Sequence, residues 1–96
     1  MPDIDSHVLE ELYRVILSRR GADPTQSNTA KLFAKGKKKI AQKLGEEAVE
    51  AAVSAVARDG RLAEEAADLI YHLYVLLAVA GVDVADVEDE LARRAR

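Results

Sequence analysis

Two stretches of the chain carry carboxylates among residues that are otherwise typical of a helix core. They are GEEAVEAAV at residues 45–53 and EAADLIYHL at residues 65–73. Hard divalent cations prefer carboxylate oxygens as ligands, and a carboxylate can also act as a general base. If two helices place these acids side by side, the sequence predicts a site for Mg²⁺, with Mn²⁺ as a substitute.

Helical spacing puts the acids of each stretch on one side of its helix. At about 100° per residue, Glu47 and Glu50 lie about 60° apart, and Glu46 lies about 40° beyond Glu50. In the second stretch an arc of about 60° holds Glu65, Asp68 and His72. Two antiparallel helices joined by a short turn can face these arcs towards each other, and a cation relieves the resulting repulsion. We therefore expect metal ligands at Glu47, Glu50, Glu65 and Asp68.

Two other interpretations apply to the same acids. They can be solvated helix faces with surface ion pairs, because E-x-x-E followed by E-x-x-D is a short motif. A di-iron helical bundle would instead require Glu-x-x-His pairs. Leu69 stands three residues before His72 and Ile4 three before His7, so neither histidine completes such a pair. The sequence therefore disfavours the di-iron site.

A run of lysines precedes the first acidic stretch. Residues 27–43, SNTAKLFAKGKKKIAQK, contain six lysines and no acid. Lysine is a compact positive charge that suits phosphate, although each lysine alone is also compatible with an ordinary solvated face. The P-loop pattern is absent, since GKKK lacks the flanking glycine and Ser/Thr. The run continues directly into the acids, an arrangement that suits a pyrophosphate-bond hydrolase. The expected phosphate and substrate ligands are Thr29, Lys31, Lys35, Lys38, Lys39 and His72.

Composition and charge limit the class of protein. The 96 residues suffice for one domain, 1–96, and the absence of cysteine excludes disulfides and thiolate metal sites and fits a cytoplasmic location. No apolar run reaches the ~18 residues that span a bilayer, so we expect no membrane partner. Residues 1–45 carry nine Lys and Arg against five Asp and Glu, a charge of +4, whereas residues 46–96 carry five against twelve, a charge of −7. This division disfavours a nucleic-acid partner, which requires one continuous basic face.

Apolar residues at helical spacing predict an all-α fold of four to five helices. The predicted helices cover about residues 5–20, TAKLFAKG up to Gly36, 37–57, 62–80, and 83 to about 94. Asp5 or Ser6 is the expected N-cap of the first helix, and Ser27 or Thr29 that of the second. Gly45 lies inside the third helix at a cost of about 1 kcal/mol relative to alanine, which suggests a close approach of another group or a tolerated defect.

The phrases TAKLFAKG, KLGEEAVE and ADLIYHL together resemble the phosphoribosyl-ATP pyrophosphohydrolases, which catalyse the second step of histidine biosynthesis. The resemblance covers about residues 5–94, and it departs from the family at Asn28, where an aromatic residue is usual. It implies hydrolysis of the α–β phosphoanhydride of a nucleotide, N1-(5-phosphoribosyl)-ATP, to phosphoribosyl-AMP and pyrophosphate, with Mg²⁺ required. It also implies a helical bundle completed by homodimerisation, which suits a small all-α chain with a small-residue core.

This resemblance leads to a hypothesis for the roles of the residues. The four expected ligands hold Mg²⁺, and Lys43 with the other lysines stabilises charge on phosphate. Glu46 either orients a metal ligand or acts as the base for water. His72 contacts substrate, anchors a carboxylate or is a satisfied histidine between helices. The alternatives are a house-cleaning nucleoside triphosphate pyrophosphohydrolase and a non-catalytic helical dimerisation module.

Overall fold

The structure, a computed structural model, describes residues 8–95, and within that range it contains five α-helices and no strand. In chain order they are α1 Val8–Ser18, α2 Asn28–Lys35, α3 Lys37–Ala57, α4 Leu62–Ala80 and α5 Val84–Arg94. The predicted all-α fold is confirmed, and the limits of α2 to α5 agree with the predicted ones to within a residue. The first helix ends two residues earlier than expected, and its predicted caps, Asp5 and Ser6, lie outside the described residues.

Local side-chain and backbone hydrogen bonds set the limits of the shorter helices. Ser27 is the N-cap of α2, because its hydroxyl accepts from the backbone N–H of Ala30 at 3.2 Å. Gly36 stands between α2 and α3 with a φ of 90°, a conformation that other residues rarely adopt, so the chain can turn there without a longer loop. Asp83 caps α5 by accepting from the N–H of Ala85 at 2.8 Å. These capping residues are the ones that the sequence offers.

The main packing unit is the helical hairpin of α3 and α4, against which α1 and α2 lie. The buried apolar core collects Tyr13, Ile16, Ile40, Val75, Ala78 and Val84. Two hydrogen bonds attach the first helix and the segment after it to the last turn of α4 and the residues that follow it. The Tyr13 hydroxyl donates to the carbonyl of Val82 at 2.9 Å, and the Arg20 guanidinium donates to that of Ala78 at 3.0 Å. The hairpin is therefore held firmly at the end of α4.

The turn between α3 and α4, residues 58–61, decides how the two acidic stretches face each other. Arg58 adopts the left-handed conformation, with a φ of 53°, and its N–H donates to the Ser54 carbonyl at 3.1 Å. The Asp59 carboxylate accepts from the buried Ser54 hydroxyl at 2.5 Å and from the Arg61 backbone N–H at 2.9 Å. These two hydrogen bonds, the one from Ser54 first, lower the pKa of Asp59 from its usual 3.8. The Asp59 carboxylate therefore connects the two sides of the turn, Ser54 in α3 and Arg61 just before α4.

In the range 8–95 no single helix is both long and apolar enough to span a membrane. Taken together, α4 and α5 meet those criteria of length and composition, but the two helices are bent by 112° at the break between them.

We expect Ser54→Ala to lower the melting temperature by a few degrees at neutral pH, because it removes a buried donor to the Asp59 carboxylate. A lowered carboxyl pKa gives stability that is fully present above the unfolded value of 3.8 and is lost as the pH falls through the folded value. The difference between wild type and variant should therefore shrink in acid, as measured by circular-dichroism melts at a series of pH values.

Ser18→Ala is the control, because the two partners of the Ser18 hydroxyl, the Val15 carbonyl and the Arg19 guanidinium, are not carboxylates. Its effect on melting should be small and independent of pH. An equally large loss for Ser54→Ala at every pH would contradict the role assigned to Asp59.

Candidate active site

Three of the four expected metal ligands meet at the seam between α3 and α4. One carboxylate oxygen from each of Glu47, Glu65 and Asp68 lies within 4.8 Å of the others. Glu47 is only 6% exposed, Glu65 is half-buried and Asp68 is exposed. The group therefore opens to solvent on the side of Asp68. A donor set made of carboxylate oxygens alone fits a hard cation such as Mg²⁺ and does not fit a soft one.

The electrostatics of this group are those of carboxylates held too close together. Loss of hydration raises the pKa of Glu65, and the charges of Glu50, Asp68 and Glu47 raise it further. The Arg61 guanidinium acts in the opposite direction, at 3.7 Å from a Glu65 oxygen. A divalent cation would relieve the same repulsion more completely, because it can contact all of the carboxylates at once.

The remaining acids of the first stretch lie beside this group and not in it. Glu50 is exposed and contributes no oxygen to the group of three, although its charge acts on Glu65. Glu46 is also exposed, and its carboxylate accepts a hydrogen bond from the Gln42 amide at 3.2 Å. The fourth metal ligand and the catalytic role of Glu46 therefore stay predictions.

Three of the predicted phosphate-binding or catalytic lysines line one cavity. It has a volume of about 240 Å³ and lies where α2 meets α3, and we call it the lysine cavity. Its walls are Leu32, Lys35, Lys39, Gln42, Lys43 and Glu46. Lys31 and Lys38 are exposed and do not line it. All of these lysines are exposed, but only Lys35, Lys39 and Lys43 share a cavity.

The other two predicted substrate ligands belong to a chain of contacts between α2 and α4. The hydroxyls of Thr29 and Tyr71 hydrogen-bond at 2.5 Å, and the Tyr71 ring meets that of His72 edge-on with centroids 5.1 Å apart. Nδ1 of His72 lies 2.7 Å from the Asp68 carbonyl. A carbonyl can only accept, so Nδ1 carries the hydrogen and Nε2 of the neutral ring is an acceptor.

This chain of contacts includes a functional residue that the sequence analysis missed. Nothing in the sequence relates Tyr71 to Thr29, 42 positions away. Its hydroxyl connects the helix at the start of the lysine run with the helix that carries Glu65 and Asp68. Tyr71 therefore positions the two halves of the candidate site relative to each other.

Known proteins that are similar to this chain identify its family. The family profile described as phosphoribosyl-ATP pyrophosphohydrolase matches residues 9–95. The chain belongs to this family. The phosphoribosyl-ATP pyrophosphatase of Paramagnetospirillum magneticum is 59% identical over 91 residues, which cover 94% of this chain and 84% of the relative. Proteins of the same name from Rhizorhabdus wittichii and Azospirillum brasilense are 60% and 53% identical, over 90% and 95% of this chain and 82% and 83% of their own lengths.

Membership of the phosphoribosyl-ATP pyrophosphohydrolase family confirms the resemblance noted in TAKLFAKG, KLGEEAVE and ADLIYHL. It also confirms the expectation of an enzyme, since the family is one of hydrolases. The alternative of a non-catalytic helical module is thereby disfavoured. The acid group and the lysine cavity acquire a common chemical context, the cleavage of a phosphoanhydride.

We expect the Thr29–Tyr71 hydrogen bond to appear as an energetic coupling between the two residues. Tyr71→Phe and Thr29→Val should each lower the free energy of unfolding by about 1 kcal/mol, because each leaves a half-buried hydroxyl site without its partner. The double variant should lose clearly less free energy of unfolding than the two single variants lose together, as measured by urea denaturation. Strictly additive costs would show that the two hydroxyls do not interact.

Proposed function

We propose that this protein hydrolyses the α–β phosphoanhydride bond of N1-(5-phosphoribosyl)-ATP. The products are phosphoribosyl-AMP and pyrophosphate, as in the second step of histidine biosynthesis. The observation that carries the proposal is the convergence of Glu47, Glu65 and Asp68 in a chain that the family profile matches over residues 9–95. The names of the relatives support the substrate. A cytoplasmic location remains a prediction from composition.

The proposed cofactor is Mg²⁺, with Mn²⁺ as a substitute. Glu47, Glu65 and Asp68 would hold the ion, and Glu50 would reach it from the rim as a fourth ligand. Bound there, it would supply electrostatic stabilisation of the charge on the departing pyrophosphate. The oxygen-only donor set and the raised pKa of Glu65 support this assignment. The largely buried position of Glu47 supports it as well, since it holds this carboxylate beside those of Glu65 and Asp68.

The other steps of the proposed reaction are assigned to residues of the protein. In this proposal a water molecule attacks phosphorus, the anhydride P–O bond breaks, and the water's proton passes to a carboxylate. Glu46 is the proposed acceptor of that proton or the group that orients a metal ligand. Lys43 lies one helical turn before Glu47, so its ammonium group can stabilise charge that grows on the phosphate oxygens. His72, whose Nδ1 donates to the Asp68 backbone carbonyl, offers Nε2 as an acceptor to a hydroxyl or amino group of the substrate.

A house-cleaning nucleoside triphosphate pyrophosphohydrolase would use the same carboxylates. It would not require a lysine cavity beside them, because a simple nucleoside triphosphate carries no phosphate outside the triphosphate. The cavity wall of Lys35, Lys39 and Lys43 therefore favours the larger substrate. Pyrophosphate release from phosphoribosyl-ATP and from ordinary nucleoside triphosphates, compared at equal concentration, tests this choice.

We expect Glu47→Gln to abolish Mg²⁺-dependent pyrophosphate release, with a loss of at least about 100-fold, while helicity by circular dichroism is kept. Amide replacement removes the charge that holds the cation but nearly preserves the shape of the side chain. The stabilisation of the wild type by millimolar Mg²⁺ in thermal melts should also be lost.

Glu64→Gln is the matched control for this variant. Glu64 stands next to Glu65 in the chain, but it is exposed and lies outside the group of three. It should release pyrophosphate at the wild-type rate. Full activity in Glu47→Gln would refute the metal assignment.

We also propose that a second copy of the chain covers an apolar stripe on α3. Val49, Val53 and Val56 follow each other at i, i+4 and i+7, and they are 62%, 59% and 86% exposed. A stripe of large apolar side chains on one helix face is unusual for a surface in contact with water. Glu50 projects about 60° from Val53 on the same helix, so the second copy would border the acid group.

We expect Val53→Asp to convert a dimer into a monomer in sedimentation equilibrium, because it places a charge in the middle of the apolar stripe. Ala55→Asp is the control on the same helix, since Ala55 is exposed and about 200° away from Val53. It should leave the oligomeric state unchanged. A wild type that sediments as a monomer at micromolar concentration would refute the proposed dimer.

A further inference from the structure

The lysine cavity contains more than positive charge. Three lysines, Lys35, Lys39 and Lys43, share its wall with Leu32. The wall also holds the hydrogen-bonded pair of the Gln42 amide and the Glu46 carboxylate. Such a set of groups can bind an anion and uncharged hydroxyl groups at the same time, because carboxylate and amide oxygens accept from hydroxyls.

The cavity and the acid group occupy neighbouring sides of α3. The acid group lies between α3 and α4, whereas the cavity lies between α2 and α3. Along the α3 axis, Lys43 precedes Glu47 by about 6 Å and Lys39 precedes it by about 12 Å, at 1.5 Å per residue. A ligand that reaches from one to the other must therefore extend over roughly the length of two helical turns.

The proposed substrate carries phosphate at two separate places. The triphosphate, which contains the bond to be broken, is on one ribose, and a single phosphate is on a second ribose attached to N1 of the adenine. The departing pyrophosphate belongs at the acid group, where a cation would neutralise it. The adenine and the second ribose separate the remaining phosphate from that place.

We propose that the lysine cavity binds the 5-phosphoribosyl group attached to N1, with Lys35 and Lys39 on its phosphate and the Gln42 amide oxygen on its ribose hydroxyls. Lys43 and Glu46, which are nearer to Glu47 in the chain, stay with the reacting phosphate. The inference rests on the proposed function and assigns a part of its substrate to a place on the protein. Pyrophosphate fits the cavity less well than the phosphoribosyl group does. It carries more negative charge, so the Glu46 carboxylate in the wall repels it more strongly. The cavity thereby distinguishes phosphoribosyl-ATP from ATP, which lacks this sugar phosphate.

Equilibrium binding of ribose 5-phosphate to the metal-free protein, in the presence of EDTA, tests the assignment directly. The wild type should bind ribose 5-phosphate without Mg²⁺, and it should bind pyrophosphate appreciably only when Mg²⁺ is added. Lys39→Ala should weaken the binding of ribose 5-phosphate about ten-fold, the effect of one lost charge-assisted hydrogen bond. The matched control is Lys37→Ala, because Lys37 is exposed at the start of α3 and does not line the cavity. It should bind as the wild type does.

Steady-state kinetics then separate this inference from the function on which it rests. Lys39→Ala should raise the KM for phosphoribosyl-ATP about ten-fold and change kcat much less, because the contact exists equally in the ground state and the transition state. If the wild type fails to hydrolyse phosphoribosyl-ATP, the proposed function falls.

Three results would overturn the cavity assignment while the function stands. The first is an active wild type that does not bind ribose 5-phosphate without metal. The second is Lys39→Ala with unchanged binding and unchanged KM. The third is a loss in kcat without a change in KM, which would place Lys39 on the reacting triphosphate. Thermal melts of both lysine variants verify that they are folded.

Discussion

The constraint on which the site depends is the burial of one carboxylate, that of Glu47, beside two others. Within residues 8–95 no lysine or arginine forms an ion pair with it, and the nearby Arg61 reaches only Glu64 and Glu65. Three carboxylates at such close range repel one another, so an arrangement of this kind is poor for stability alone. The arrangement is that of a preorganised cation site, in which helix packing holds the carboxylates together against their repulsion until a cation offsets it.

Resistance to that repulsion comes from contacts away from the carboxylates. The Asp59 carboxylate closes the turn of the hairpin through the Ser54 hydroxyl and the Arg61 backbone N–H. On the opposite side of the site, the Thr29–Tyr71 hydrogen bond attaches α2 to α4. The lysine cavity depends on that attachment, because α2 supplies Leu32 and Lys35 to a wall that α3 completes. The cavity and the acid group are thus products of the same packing.

Some parts of the fold and of the candidate site could be predicted from the sequence, and others could not. Helix limits were predictable because glycine, serine and aspartate act locally, as at Gly36 and Asp83. The convergence of Glu47 with Glu65 and Asp68 followed from angular spacing and a short turn. Spacing alone could not show that Glu50 lies outside the group. Its 60° offset from Glu47 follows from the sequence, but its distance from Glu65 and Asp68 depends on how α3 and α4 pack. Nor could spacing reveal the Thr29–Tyr71 bond or select the lysines that share a cavity, because both depend on where α2 lies against the hairpin.

The packing within a single chain does not explain why a glycine, Gly45, stands inside α3. Inside α3 it costs about 1 kcal/mol relative to alanine, yet a side chain built there would meet nothing within 4 Å. It lines a shallow groove of about 490 Å³ with Gln42, Glu46, Val49 and Glu50, in helical register with the exposed valine stripe. If the proposed second copy lies on that stripe, the absent side chain lets its backbone approach α3 at the groove. Glu46 and Glu50, which the isolated chain leaves exposed, would then lose part of their hydration, and the same contact that completes the dimer would strengthen their interaction with a cation.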